Sequence, residues 1–129
     1  MKNIVILFIF LTLISCSPDD NNSLLIGSWI LSEKSIDNVL VVYSEDDCEL
    51  HNTLIFTKSK VTDKIYFYDS KYEFCDIDSS LTGSYTYEDS TIRATNIVQF
   101  LFVKSLNRDT LIFEKQINNS IHLFTYIKN

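Results

Sequence analysis

From about residue 24 onward, apolar and polar residues alternate in short runs separated by polar breaks. A period of two places successive side chains on opposite faces of a strand. Trp29 and Leu31 fall on one face, with Ser32 and Lys34 on the other. Leu54 and Phe56 oppose Thr53 and Thr57, and Ile65 and Phe67 oppose Lys64. Leu81, Gly83, Tyr85 and Tyr87 oppose Thr82, Ser84 and Thr86, while Leu111 and Phe113 oppose Thr110 and Glu114. A last strand sets Ile121, Leu123 and Ile127 against His122, Phe124 and Tyr126. The breaks are Lys58-Ser59-Lys60, Asp69-Ser70-Lys71, Glu88-Asp89-Ser90, Asn107-Arg108-Asp109 and Asn118-Asn119. Asn, Asp and Ser turn the chain through local side-chain bonds, so few glycines are needed. The breaks are too close for crossover helices. The pattern predicts an all-β, antiparallel up-and-down meander of about eight strands, closed as a barrel or flattened as a sandwich.

Two stretches depart from it. Ile97 to Val103 is apolar on both faces; cover by the protein itself is the expectation, a partner surface the alternative. Asp37 to Glu49 is a long acidic connection holding Val39-Leu40-Val41-Val42-Tyr43, which reads as a short extra strand or as a lid over a barrel mouth.

The N-terminus follows another rule. Lys2 precedes an uncharged run from Ile4 to Ile14, too short for a membrane span of about 20 residues but suited to a signal-peptide core. Leu13-Ile14-Ser15-Cys16 resembles the bacterial lipoprotein cleavage box. That resemblance implies a signal peptide over 1–15, cleavage before Cys16 and lipidation of its sulfur. The thiol is the best alkylation nucleophile on offer, and each buried acyl methylene adds roughly 0.8 kcal/mol of membrane affinity. Residues 16–23 then form a polar tether, and 24–129 the folded domain. Asp19 and Asp20 resemble the surface-export signal of Bacteroidetes lipoproteins. The expected address is the outer membrane, at the cell surface or on the periplasmic face, with the lipid as the membrane contact.

Composition supports a sheet. The 129 residues include one alanine, two glycines and one proline against 16 Ile, 7 Val, 10 Thr, 9 Phe, 7 Tyr and 1 Trp. Such side chains lose rotamer freedom in a helix and pack well on a pleated surface. The net charge of −6, with bases scattered singly, argues against nucleic acid as a partner. Two glycines do not make a phosphate-binding loop. Outside the cytoplasm, the remaining cysteines Cys48 and Cys75 read as a disulfide, whose loop closure would contribute roughly 3–4 kcal/mol.

Ser23-Leu24-Leu25-Ile26-Gly27-Ser28-Trp29 resembles the helical turn and Gly-x-Trp opening of lipocalins, with Gly27 and Trp29 as the motif residues. More closely, the chain resembles the small lipocalin-like lipoproteins of Bacteroidetes. Cys48 before the strand ending at Phe56, Gly83-Ser84-Tyr85-Thr86-Tyr87, and the hairpin around Leu106-Asn107-Arg108-Asp109-Thr110-Leu111-Ile112 all fit that pattern. The resemblance implies a barrel of lipocalin type and a basic residue on Trp29, either Lys128 or Lys115. Tyr85 stands where the family usually has Trp, and the chain is short for a lipocalin; both argue against a large cavity.

Candidate chemistry is sparse. Glu45, Asp46, Asp47 and Glu49 form one acidic loop, and Asp76 with Asp78 a second. A calcium loop starting at Asp76 would place Leu81 where glycine is required and Tyr87 where the bidentate Glu belongs. No metal or cofactor is therefore expected. His51 and His122 lack a nucleophile in any triad spacing. The expectation is a non-catalytic, monomeric binding module for a small apolar or amphipathic ligand. Tyr66, Tyr68, Tyr85, Tyr87, His122 and Tyr126 are its candidate pocket, offering apolar bodies with polar tips. The alternative is a protein-interaction module, a surface accessory or an inhibitor, with a filled barrel.

Overall fold

The computed structural model describes residues 21–44, 47–96 and 100–129. The leader 1–15, Cys16 and the tether up to Asp20, the acids Glu45 and Asp46, and the first three residues of the two-faced strand lie outside them. A short helix α1 (Asn21–Leu25) leads into β1 (Gly27–Ile36), and a two-residue strand β2 (Val39–Leu40) folds back on it. A 3-10 turn (Cys48–His51) precedes β3 (Thr53–Phe56). Then come β4 (Lys60–Asp69), β5 (Phe74–Glu88), β6 (Thr91–Ala94), β7 (Phe100–Leu106), β8 (Thr110–Ile117) and β9 (Ser120–Lys128). All pairings are antiparallel, and β1 also pairs with β9, closing an eight-stranded barrel with β2 as an extra strand. The long connection thus yields the short extra strand.

Turn chemistry explains how two glycines suffice. Asp37-Asn38, Asp89-Ser90 and Asn118-Asn119 each have positive φ at both positions, between 48° and 67°. Two-residue hairpins need that pair of left-handed conformations to match strand twist, and Asn and Asp reach them at low cost. Asp37 Oδ1 also accepts from the Ile121 amide at 2.8 Å, tying the first hairpin to the last.

The core is the barrel interior. Leu25, Trp29, Phe56, Ile92, Leu111 and Phe113 are each at most 1% exposed. Phe113 stacks between Phe124 and Tyr126, with ring centroids 5.3 and 5.4 Å away. On β9 it is therefore the His122–Phe124–Tyr126 face that turns inward, while Ile121 and Ile127 stand about half exposed outside.

The lower end is closed by α1. Trp29 Nε1 donates to the Leu25 carbonyl at 2.7 Å, capping the helix from inside the barrel. Lys128, not Lys115, serves as the basic residue: its Nζ lies 4.8 Å from the Trp29 ring centroid and donates to the Leu24 carbonyl at 3.0 Å. Gly27 makes this possible. Its φ is +139°, and a Cβ there would sit 2.7 Å from Lys128 Cε.

Two expectations need correction. Lys34 does not point outward: a bulge between Leu31 and Glu33 inserts Ser32, restoring Lys34 to the inner face opposite Phe124. The outer side chains of the two-faced strand are only partly covered by described residues, with the Arg93 guanidinium 6.0 Å from the Phe100 ring centroid. Phe100 and Phe102 remain 59% and 48% exposed, and only Leu101 and Val103 enter the core.

Candidate functional site

The open end of the barrel departs from pure hydrophobic packing. β3 has four residues and pairs with β1 only over Gly27–Ile30. Beyond it, β1 and β4 lack a stave between them, and the Cys48–His51 turn fills the gap. Asn52 joins both edges: its carbonyl accepts from the Leu31 amide at 2.9 Å, and its Oδ1 from the Tyr66 amide at 2.9 Å. Cys48 is 3% exposed and bonded to Cys75, opposite Tyr68 across the β4–β5 ladder. The disulfide ties the plug to the hairpin and brings Asp47 and Glu49 toward Asp76 and Asp78, which lie within strand β5 and not in the acidic loop expected there.

Charged residues turn inward at this level. Lys34 Nζ pairs with Glu49 Oε1 at 2.7 Å across the plugged gap. Asp63, in register with Leu54 and Leu81, and Lys115, in register with His122, line one cavity. Leu54, Val61, Ile92, Leu101, Phe113 and Tyr126 supply its apolar walls. The cavity measures about 20 Å³, room for roughly one water molecule. Pockets for drug-sized ligands run from about 300 to 1,000 Å³, so this cavity is far too small for one.

Burial dominates the electrostatics. It pushes the Asp63 carboxyl above its ordinary value, with Lys115 pulling the other way. It pushes the Lys115 ammonium below its ordinary value, helped by Lys34 and opposed by Asp63. Tyr126 is driven well above the usual phenol range, chiefly by burial and then by Asp63. Tyr43 is raised likewise, by burial and the Glu49 carboxylate. Buried Nδ1 of His122 closes no hydrogen bond among the described residues.

Just above these charges the inward surface becomes apolar and open. Ile65 and Phe67 continue the Val61–Asp63 face of β4 and are 38% and 43% exposed. Leu81 faces them from β5 and is 48% exposed. Here the β4–β5 hairpin has outgrown β6, which pairs only with Tyr85–Glu88. The open end therefore sets polar groups below an apolar surface.

The candidate pocket residues divide. Tyr126 and His122 sit at this site. Tyr66 and Tyr68 belong to the opposite, outer face of β4, where Tyr66 meets His51 at 6.0 Å between ring centroids; strand alternation separates them from Asp63. Tyr85 and Tyr87 face inward at the closed end. Tyr85 packs edge-on against Phe56 and donates to the Thr57 carbonyl at 3.0 Å. Together with Asn22, Lys58, Thr86 and Glu88 they border an open groove of about 320 Å³. Lys34, Asp63 and Lys115 emerge as site residues only in the fold. The available sequence signal was a charge at an apolar parity: Asp63 between Val61 and Ile65, Lys115 between Phe113 and Ile117. Among the described residues, no three His, Cys, Asp or Glu side chains converge as a metal site.

The model of the lipocalin-like domain family matches residues 25–113. An uncharacterised protein from Bacteroides eggerthii shares the fold, with a TM-score of 0.55 and 12% identity over 81% of this chain and 99% of that one. A lipocalin-like protein from Bacteroides uniformis gives a TM-score of 0.54 and 13% identity, covering 78% of this chain and 96% of its own. At such identities the likeness is one of fold. No curated protein matches the chain.

Proposed function

The chain belongs to the lipocalin-like domain family, and we propose that it is a lipid-anchored, non-catalytic binding module holding a small amphipathic ligand at the open end of its barrel. One observation carries this reading: the inner surface passes from half-buried charge (Asp63, Lys115, Lys34–Glu49) directly to exposed apolar side chains (Ile65, Phe67, Leu81). The inner cavity, at about 20 Å³, has no room for a large ligand. Anchoring rests on the Leu13-Ile14-Ser15-Cys16 box, which makes Cys16 the lipidated residue and the outer membrane the address.

Native mass spectrometry on residues 19–129, made in an oxidising periplasm and purified without detergent, tests the ligand. Adduct mass that leaves on gentle activation supports a carrier, and a clean apo monomer from repeated preparations contradicts a preloaded one. Labelling the full chain with an alkyne fatty acid tests the anchor: label is expected on wild type and absent from Cys16→Ser. Label on both would refute Cys16 as the site.

Phe100 and Phe102, exposed on the outer wall, favour a second reading as a docking surface for a protein partner. Phe100→Ser/Phe102→Ser would abolish such docking and leave the open end unchanged.

A further inference from the structure

We infer that Lys115 is a covalent capture site, its amine condensing with the carbonyl of an aldehyde whose apolar tail lies over the open end of the barrel. The inference rests on the open-end reading above and narrows its ligand class.

Three features of the geometry support it. First, Lys115 Nζ faces the water-sized cavity but makes no ion pair; among the described residues, pairs within 4.0 Å are Lys34–Glu49 and Lys104–Glu114. Aromatic rings flank it, with the Phe124 and Phe113 centroids at 5.3 and 5.6 Å. Second, the charge of Lys34, whose Nζ also stands 5.3 Å from the Phe124 ring, works against the ammonium form of Lys115. A lysine becomes a nucleophile when it is desolvated or set beside another cation, and Lys115 is both. Third, Asp63 lines the same cavity across from it, and burial holds its carboxyl above the ordinary value while Lys115 pulls the other way. That is the group a condensation needs for moving protons.

The chemistry balances without an outside reagent. The neutral amine adds to the carbonyl carbon, forming a carbon–nitrogen bond, and the ammonium proton passes to the new alkoxide oxygen. The Asp63 carboxyl protonates the hydroxyl, which leaves as water as the imine forms. The carboxylate then takes back one proton from the protonated imine. Amine and aldehyde become imine and one water, with no change in oxidation state. A cavity of about 20 Å³ matches the water released. The tail leaves past Leu81, Ile65 and Phe67, which stay exposed.

The folded protein is incubated at neutral pH with n-decanal, reduced with cyanoborohydride and mapped by peptide mass. Lys115 is expected to be modified about tenfold faster than any other lysine, as for a nucleophile activated by desolvation and a neighbouring cation. Lys34→Gln should slow that labelling several-fold, while the exposed lysines keep their rates. A buried lysine with a purely structural role predicts the reverse order, because burial shields it. Labelling of Lys115 at or below the rate of the exposed lysines therefore overturns the inference. n-Decanol, of equal chain length but unable to condense, separates the two claims. Decanol bound without preferential Lys115 labelling overturns covalent capture alone, and neither result appearing overturns the open-end site as well.

Discussion

Reducing the Cys48–Cys75 bond should destabilise the barrel and loosen one defined place in its wall. The bond closes a loop with a sequence separation of 27 residues. On the chain-entropy model, losing that closure costs about 3.5 kcal/mol. For a domain of this size, 1 kcal/mol shifts Tm by roughly 4 °C, so a fall of about 10–20 °C is expected on reduction. The position of the bond adds a local signature. The Cys48–His51 turn occupies the gap above β3, where Asn52, the Lys34–Glu49 pair, Leu50 packing and the disulfide help to hold it. Freed from Cys75, it should let the Leu31 and Tyr66 amides exchange with solvent ahead of the rest of β1 and β4. Calorimetry and amide hydrogen exchange on oxidised and reduced protein need no mutation, so no cavity confuses the comparison. A fall below about 3 °C, far under the loop-closure figure, with unchanged exchange at Leu31 and Tyr66, would show that the other contacts hold the plug without the bond.

Other outcomes follow from the closed end and the inner charges. Gly27→Ala should lower stability by about 1–3 kcal/mol in a denaturant titration, because both the φ of +139° and the 2.7 Å approach to Lys128 Cε resist a Cβ. Lys128→Met removes the bond to the Leu24 carbonyl and the cation over Trp29. A loss of about 1–2 kcal/mol is expected, with a shift in the emission of the single tryptophan; unchanged emission would place Lys128 elsewhere. Asp63→Asn tests the sign of burial. The folded carboxyl sits above its ordinary 3.8, so wild type loses stability as pH rises from 3.8 through the raised value, and the Asn variant escapes that loss. The two melting curves should coincide in acid and separate toward neutral pH; a wild type that gains relative to Asn over that range would mean Asp63 is stabilised as a carboxylate. Asp63→Asn/Lys115→Met together should match or exceed either single variant in stability, since apolar or neutral replacement of both buried charges is often favourable.

Much of this architecture was legible in the order of residues. Alternation on β3, β8 and β9 announced the strands, and the Asp-Ser and Asn-Asn pairs announced hairpins that glycine usually makes, whereas the Asp37-Asn38 turn was hidden in what reads as one long connection. Gly27 and Trp29 marked the closed end because their roles are local: a strained backbone, and a ring held by its own helix. The choice of Lys128 over Lys115 was not legible, since it depends on which strand end meets α1 after the barrel closes. The inward turn of Lys34 was hidden by a single inserted residue at Ser32, and a bulge reverses every side chain beyond it without changing composition. Asp63 and Lys115 become neighbours only when β4 and β8 face each other across the barrel. Tyr66 and Tyr68 look like pocket residues by type, yet strand parity places them on the other face from Asp63.

The claim at the centre is that ligand meets this protein at the open end, over Asp63, Lys115, Ile65, Phe67 and Leu81. An amide-resolved NMR titration of isotope-labelled residues 19–129 with n-decanol, a neutral probe indifferent to the charge of the site, tests it most directly. The account predicts saturable shifts confined to those residues and to His122 and Tyr126, with the signals of Trp29, Lys128 and the closed end unmoved. Shifts centred on Phe100 and Phe102, or on the Tyr85–Tyr87 groove, would contradict it.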